Sequence, residues 1–264
     1  MSEKSKGELL KEQLFYKNES GVKDEKVVAA AELFCEGYKS FLNLAKTERE
    51  SADFAVAAAI EKGFKKFDRN AKYEPGDKVY LNNRGKAVIL AVIGDQPVEN
   101  GIRIAASHVD APRLDLKPNP LYEDGEMALF KTHYYGGIKK YQWTTIPLAL
   151  HGVVIRADGA SIPVVIGEDE DEPCFVITDL LPHLAAEQSK RTLGEAIKGE
   201  DLNVLIGSYP FLEDEVSDAV KLNILNIIYE KYGIVEADFI SAELELVPAF
   251  KSRDIGFDRS LIGA

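Results

Sequence analysis

The sequence is poor in cysteine and in long apolar runs. Its 264 residues include two cysteines, Cys35 and Cys174, and two thiols so far apart in a chain of this length do not form a disulfide framework. The first residues are charged rather than apolar, and no run reaches the roughly 18 apolar residues of a membrane helix. We therefore expect neither a secretory signal nor a membrane span, and we expect a protein of the cytoplasm.

Positive charge is also in short supply. The chain has 44 Asp and Glu residues against 32 Lys and Arg residues, which gives a formal net charge of −12. This balance excludes the basic footprint of a nucleic-acid-binding protein and disfavours binding to an anionic membrane surface. Hydrophobic residues make up 45% of the sequence, so a chain of this length buries one large core or two modest ones.

Helical periodicity appears near both ends of the sequence. Apolar residues recur at spacings of three and four over residues 27–45, which predicts an amphipathic helix of roughly five turns. Thr47 and Glu50 have the spacing of a capping box, which predicts that a second helix starts there. Further helices are predicted over residues 179–188 and 215–232.

Strand-forming residues dominate the middle of the chain. Two short runs flank Asn-Asn-Arg-Gly at residues 82–85, which predicts a β-hairpin. An apolar run over residues 101–107 predicts a short strand that leads directly into His108, and the acidic run 168–172 predicts a solvated loop. Further strands are predicted over residues 143–156, 161–166 and 239–247. Helices and strands together predict a mixed α/β fold.

His108 and Asp110 are the strongest candidates for chemistry. They follow the predicted strand and are separated by one residue, so their side chains would project on the same side. A metal-bound imidazole needs its second nitrogen hydrogen-bonded, usually to a carboxylate, because that bond fixes the tautomer. Ligands also tend to bind at strand ends in open α/β sheets. The pattern therefore predicts a metal-binding histidine with a supporting carboxylate.

The tripeptide His-X-Asp also has a simpler explanation. It occurs by chance in many proteins, and a histidine at a strand end commonly bonds to a nearby carbonyl group. For His133 a packed or loop position is the simpler interpretation, and for His151 a core or interface position. For His183, near a predicted helix start, an interface role is one of several equal alternatives. The two cysteines have no base partner in view, so a thiol nucleophile is not expected.

The sequence around His108 extends the pattern well beyond a tripeptide. Residues 106–114 read Ala-Ser-His-Val-Asp-Ala-Pro-Arg-Leu, and Leu-Lys-Pro follows at residues 116–118. Further characteristic segments are residues 135–137 with Trp143, residues 147–152, residues 181–185 and residues 256–262. Together these segments resemble the aspartyl aminopeptidase family of zinc metallopeptidases. The first resembles the family's first metal motif, and the last resembles the lead-in to its second.

The resemblance implies an α/β metallopeptidase sandwich, incomplete in this chain, that is interrupted by a β-rich dimerisation domain. Residues 1–110 and 241–264 would belong to the metallopeptidase domain, and residues 111–240 would form the dimerisation domain. Family members are aminopeptidases that remove N-terminal amino acids, often acidic ones, from peptides and assemble into homo-oligomers. By this resemblance, His108 is a ligand in a site of two zinc ions, and Asp110 is the catalytic carboxylate that supports it.

The sequence departs from the family in its set of metal ligands. The similarity covers roughly the N-terminal half or more of a family member, and the family's bridging aspartate, paired glutamates and last histidine lie beyond residue 264. Asp258 stands in the lead-in, not at the bridging position. Since a catalytic zinc takes about three protein ligands and a water, we expect the chain alone to be inactive. The alternatives are a non-catalytic assembly protein with a vestigial metal motif, and another co-catalytic metallohydrolase.

Overall fold

The structure, a computed structural model, describes residues 4–16 and 24–264 of the chain. The helices in these ranges are α1 (Lys6–Leu14), α2 (Glu25–Leu44), α3 (Glu48–Glu61) and α4 (Ala219–Tyr232). The chain divides into two compact units, Met1–Phe41 and Leu42–Ala264. The first unit contains α1 and most of α2, whose 20 residues confirm the predicted five-turn helix.

The helix α3 begins at the predicted capping box. The side-chain hydroxyl of Thr47 accepts a hydrogen bond from the backbone N–H of Glu50 at 3.3 Å, and the Glu50 carboxylate accepts one from the backbone N–H of Thr47 at 3.0 Å. These two bonds satisfy donors that the first turn of a helix leaves without intrahelical partners. Because Ser51 and Ala52 are buried in the same turn, this end of α3 is fixed within the second unit.

Six strands form the main sheet: β4 (Arg113–Asp124), β5 (Met127–Tyr135), β6 (Leu148–Ile155), β7 (Ser161–Ile166), β8 (Val204–Gly207) and β9 (Ala242–Pro248). Their order in the sheet is β7-β6-β9-β4-β5-β8. Every neighbouring pair is antiparallel. β9 lies between β6 and β4, so residues from late in the sequence complete the centre of this sheet.

Two smaller sheets accompany it. One contains β1 (Lys65–Lys66), β2 (Lys78–Asn83) and β3 (Ala87–Val92), and the other pairs β10 (Arg253–Ile255) with β11 (Leu261–Gly263). The antiparallel pair β2–β3 confirms the predicted hairpin. At its turn, Arg84 and Gly85 have φ values of 59° and 71°, the left-handed conformation that short hairpin turns require.

Two predicted elements are wrong. Residues 179–188 form turns rather than an α-helix, because Pro182 lacks the N–H that a helix interior needs and its ring clashes with the preceding turn. Residues 101–107 have no regular secondary structure, and Ile104 among them is 77% exposed. A strand needs a hydrogen-bonded neighbour, and within residues 4–16 and 24–264 no strand pairs with this segment.

The principal core lies between the main sheet and α4. Val220 of α4 is 3% exposed and packs with the buried sheet residues, which include Leu114, Phe130, Leu148, Leu150, Val154, Val204, Leu244 and Leu246. Gly233, with φ of 63°, ends α4 in the left-handed conformation as a glycine cap. Across the described ranges, no helix combines the length and the apolar character that crossing a membrane requires.

Candidate metal centre

His108 lies in the irregular segment that precedes β4, and its side chain is 84% exposed. The predicted strand does not form here, and the imidazole ring is oriented by its contacts with the backbone and side chain of Asp110. The predicted contact with Asp110 is nevertheless present, and the Asp110 side chain is only 38% exposed. The pair therefore joins an accessible ring to a carboxylate that is partly enclosed.

The geometry of this contact determines which ring nitrogen carries the proton. Nδ1 of His108 lies 2.9 Å from the backbone oxygen of Asp110 and 3.2 Å from its Oδ1. Both atoms are acceptors, so Nδ1 is the donor in the neutral ring and Nε2 keeps its lone pair. An imidazole with Nδ1–H bonded to a carboxylate or a carbonyl is the arrangement in which Nε2 binds a metal.

Tyr135, the last residue of β5, holds the other oxygen of Asp110. Its phenol donates a hydrogen bond to Oδ2 across 2.6 Å. This bond, with smaller contributions that include the charge of His108, lowers the pKa of Asp110 below its usual range. Asp110 is therefore the ionised acceptor that a supporting carboxylate must be.

Arg113, the first residue of β4, stands directly opposite Tyr135 in the sheet. Its guanidinium carbon lies 4.1 Å from the centroid of the tyrosine ring, a cation–π contact. The same guanidinium meets Asp115 at 2.8 Å and the carboxylates of Glu48 and Glu245 at 3.3 Å each. Arg113 is thus fixed from α3, β4 and β9 while its flat face supports Tyr135.

A cluster of three glutamates is a second place where a cation could bind. Oxygens of Glu48, Glu243 and Glu245 lie within 4.8 Å of one another. Three basic side chains are already paired with this cluster: Arg49, Lys86 and Arg113. Burial raises the pKa of Glu245 to about 7, with the neighbouring charge of Glu48 adding to the effect. The cluster is therefore an internal ion-pair network in which Arg and Lys supply the positive charge.

His151 is a buried structural histidine, as the sequence indicated. Its Nδ1 lies 2.6 Å from Glu50 Oε1, its Nε2 lies 2.9 Å from Glu168 Oε1, and the side chain is 3% exposed. Burial opposes the positive charge, but the bonds to Glu168 and Glu50 outweigh it and raise the pKa of His151 to about 9. Glu168 also pairs with Lys46 at 2.6 Å, so the prediction of a wholly solvated acidic loop is wrong at this residue.

The remaining candidates lie elsewhere. His133 is exposed on β5 and stacks on Tyr134, with ring centroids 5.5 Å apart. His183 is exposed in the turn that replaces the predicted helix. Asp258 binds Ser260 through its side chain within the β10–β11 turn. These contacts of His133 and Asp258 do not involve His108.

Sequence reasoning missed Tyr135 and Arg113 as parts of the site. The pairing of Arg113 with Tyr135 could not be predicted from the sequence, because the β4–β5 register shifts between Leu116 and Leu121. That irregularity contains Pro118 and Pro120, and proline cannot donate a ladder hydrogen bond. If the register of the pairs next to the β4–β5 turn, such as Asp124 with Met127, continued along the whole hairpin, Arg113 would face Ile138 rather than Tyr135.

Comparison with protein families gives a match over most of the chain. The family model described as "Aminopeptidase I zinc metalloprotease (M18)" matches residues 41–264. A probable M18 family aminopeptidase 1 of Clostridium acetobutylicum is 48% identical over 259 residues, which are 97% of this chain and 55% of that protein. The corresponding Thermotoga maritima protein is 47% identical over 233 residues, which are 88% of this chain and 51% of the relative. The chain spans about half the length of the curated relatives it matches.

Solved structures share the fold. The M18 aminopeptidase of Thermotoga maritima aligns with a TM-score of 0.85 at 45% identity, over 92% of this chain and 52% of that one. Aminopeptidase I of Clostridium acetobutylicum aligns with a TM-score of 0.84 at 44% identity, over 94% and 55%. The S. cerevisiae mApe1 dodecamer aligns with a TM-score of 0.62 at 18% identity, over 87% and 51%, which is a likeness of fold alone.

Proposed function

The chain belongs to the M18 family of aminopeptidase I zinc metalloproteases, and we propose that it supplies one metal ligand and its supporting carboxylate to a zinc aminopeptidase. His108 is the proposed ligand and Asp110 the proposed catalytic carboxylate. The observation that carries the proposal is the contact of Nδ1 with two acceptor atoms of Asp110 at 2.9 and 3.2 Å, which leaves Nε2 as the ligand atom.

The donor chemistry of His108 suits zinc. A neutral imidazole nitrogen on an exposed ring is a common zinc ligand, and a carboxylate on its other nitrogen raises its basicity. When bound, a pair of zinc ions would polarise the scissile carbonyl and lower the pKa of a water nucleophile. Within residues 4–16 and 24–264, the one group of three or more acidic, histidine or cysteine side chains with metal-like spacing is Glu48, Glu243 and Glu245, which basic side chains already pair and which does not include His108. His108 is thus one ligand of a larger set.

The proposed substrates are peptides, from which the enzyme removes N-terminal amino acids, acidic ones in particular. The aminopeptidase names of the relatives support the reaction, and the resemblance to aspartyl aminopeptidases supports the acidic preference. A cytoplasmic site of action belongs to the same proposal. Cys35 and Cys174 are both free thiols, the state that a reducing compartment maintains.

The proposed domain organisation places residues 1–110 and 241–264 in the metallopeptidase part and residues 111–240 in a β-rich dimerisation domain. The main sheet supports a separate β-rich region, because five of its six strands come from residues 113–207. β9 joins that sheet from residues 242–248, so the sheet itself extends past residue 240. Assembly into homo-oligomers is proposed from the resemblance to the aspartyl aminopeptidase family, and the mApe1 dodecamer is an oligomer of the same fold.

Residues 1–264 by themselves are proposed to lack peptidase activity, because His108 stands as a single ligand where a two-metal site needs several. The test is release of aspartate from an N-terminal aspartyl chromogenic amide by the purified 264-residue chain, with and without added zinc. No zinc-dependent release above a His108→Ala control is expected. Robust zinc-dependent release that the control lacks would contradict this part of the proposal.

A non-catalytic assembly role is the second candidate. The exposed position of the His108 side chain is the observation that favours it. Light scattering together with zinc titration discriminates between the two candidates. Oligomers whose zinc uptake does not depend on His108 would favour the assembly role, and uptake that His108→Ala abolishes would favour the metalloenzyme.

A further inference from the structure

A continuous set of contacts connects the buried ion-pair network to the exposed His108 ring. It runs from Arg113 through the ring of Tyr135 to Asp110 and then to His108. We propose that Tyr135 and Arg113 are positioning residues that hold the Asp110 carboxylate against Nδ1 of His108, an inference that rests on the proposed metal role of His108.

The two oxygens of Asp110 have different partners. Oδ1 faces Nδ1 of His108 at 3.2 Å, and Oδ2 accepts the phenol hydrogen bond of Tyr135 at 2.6 Å. The terminal torsion of an aspartate is broad and has no sharp rotamer of its own. A partner on each oxygen therefore fixes the plane of the carboxylate. Without the phenol, the carboxylate would lose its shortest side-chain contact and keep the longer one of 3.2 Å to Nδ1 of His108.

Tyr135 needs support of its own, because its side chain stands at an exposed end of β5. Arg113 supplies that support from the opposite strand, with its guanidinium carbon 4.1 Å from the ring centroid. A planar guanidinium stacks on an aromatic face in a way that a lysine ammonium does not reproduce. The ring is therefore held on one face while its hydroxyl reaches Asp110.

Arg113 is the most firmly held residue in the set of contacts that ends at His108. Its side chain is 11% exposed and is paired with Asp115, Glu48 and Glu245, which belong to three different elements. Glu48 and Glu245 thus do more than stabilise the fold, because their ion pairs with Arg113 hold in place the guanidinium that supports Tyr135. The segment that carries His108 has no regular structure, so this external support replaces the order that a strand would provide.

The test measures the tautomer of His108 in the 264-residue chain without metal. Long-range ¹H–¹⁵N spectra at about pH 8, above the ordinary histidine pKa, report whether Nδ1 or Nε2 carries the proton. His108→Gln assigns the signals. Tyr135→Phe removes only the phenol oxygen, and Tyr134→Phe is the matched control, since Tyr134 stacks on His133 instead.

Tyr135→Phe is expected to lower the fraction of the Nδ1–H tautomer of His108, whereas Tyr134→Phe leaves it unchanged. Arg113→Lys keeps the charge but loses the planar stack, so the same direction of change is expected. An Nδ1–H fraction in both variants equal to that of the wild type would overturn the proposal. The signals of His151, a buried ring bonded to Glu50 and Glu168, serve as the folding check.

A zinc titration of the same spectra separates this inference from the proposed function. If His108 is a ligand, its Nε2 signal shifts with zinc, and Tyr135→Phe requires about tenfold more zinc, the lower end of the usual effect of an outer partner. If zinc leaves the wild-type Nε2 signal unmoved, the metal role fails. The tautomer result in the metal-free chain still decides whether Tyr135 and Arg113 position Asp110.

Discussion

His151 on β6 and Glu50 at the start of α3 are joined by a contact of 2.6 Å between Nδ1 and Oε1. The same Glu50 caps the helix through its second oxygen, so one carboxylate connects the first turn of α3 to the main sheet. With Glu168 on the other ring nitrogen, His151 is a buried cation between two acids. Its protonation therefore contributes to the stability of the second unit.

The stability of the chain is expected to fall as the pH rises from about 7.5 to about 9.5. The folded-state pKa of His151 is about 9, above the unfolded value of 6.5, so its contribution is fully present below 6.5 and is lost as the pH passes 9. By linkage, the loss over this interval is about 2 kcal/mol in the free energy of unfolding. Urea unfolding at the two pH values measures this loss of unfolding free energy. His151→Gln should remove most of the pH dependence, and His133→Gln, the control, should retain it.

Glu245 is expected to make the free energy of unfolding depend on pH in a more acidic range than His151 does. Burial raises its folded-state pKa to about 7 from an ordinary value of 4.5, so the folded state binds an extra proton between these values and stability falls as the pH rises through them. Glu245→Gln cannot ionise and is expected to flatten the unfolding free energy between about pH 5 and pH 7. An unchanged slope in that variant would show that Glu245 titrates normally.

Gly152 is expected to tolerate no side chain. Its φ is 139°, and an added Cβ would lie 1.9 Å from the backbone oxygen of Glu243 on the neighbouring strand. Gly152→Ala should therefore cost at least about 3 kcal/mol in unfolding free energy, since backbone must move in the centre of the sheet. Gly137→Ala, where a Cβ meets open space, is the control in the same denaturation experiment. Equal stability of the two variants would contradict the close approach of β6 to β9 at this residue.

His108→Ala is expected to weaken zinc uptake while leaving stability within about 0.5 kcal/mol of the wild type, because the ring is almost fully exposed. Equilibrium dialysis against zinc measures the first effect and thermal unfolding measures the second. His183→Ala, at another exposed histidine, should leave both unchanged. A His108→Ala chain that keeps its zinc would remove His108 from the metal site.

The start of α3 and the β2–β3 hairpin were the predictable parts of the fold, whereas the helix predicted over residues 179–188 was not formed. The capping box at Thr47 and the left-handed turn at Gly85 depend on interactions within a few residues, so local sequence determines them. The strand predicted over residues 101–107 failed for the opposite reason. Its apolar residues are suited to a sheet, but a strand forms only where a neighbour supplies the ladder.

In the candidate site, too, the local contact was predictable from the sequence and the long-range contacts were not. The contact between His108 and Asp110 spans two residues and was predictable from the sequence. The contribution of Tyr135 depends on its pairing with Arg113, which the proline-containing irregularity of β4 makes possible. The burial of Arg113 depends in turn on Glu245, which is 132 positions later in the sequence. Such long-range contacts follow from the sheet order and have no local signal.

Zinc-edge anomalous diffraction from crystals of the chain soaked in zinc chloride tests the central claim most directly. The account predicts an anomalous peak about 2.0–2.1 Å from Nε2 of His108, the usual zinc–nitrogen distance, with Nδ1 still bonded to Asp110. A peak confined to the Glu48, Glu243 and Glu245 cluster, or zinc bound at Nδ1 with Asp110 displaced, would contradict it.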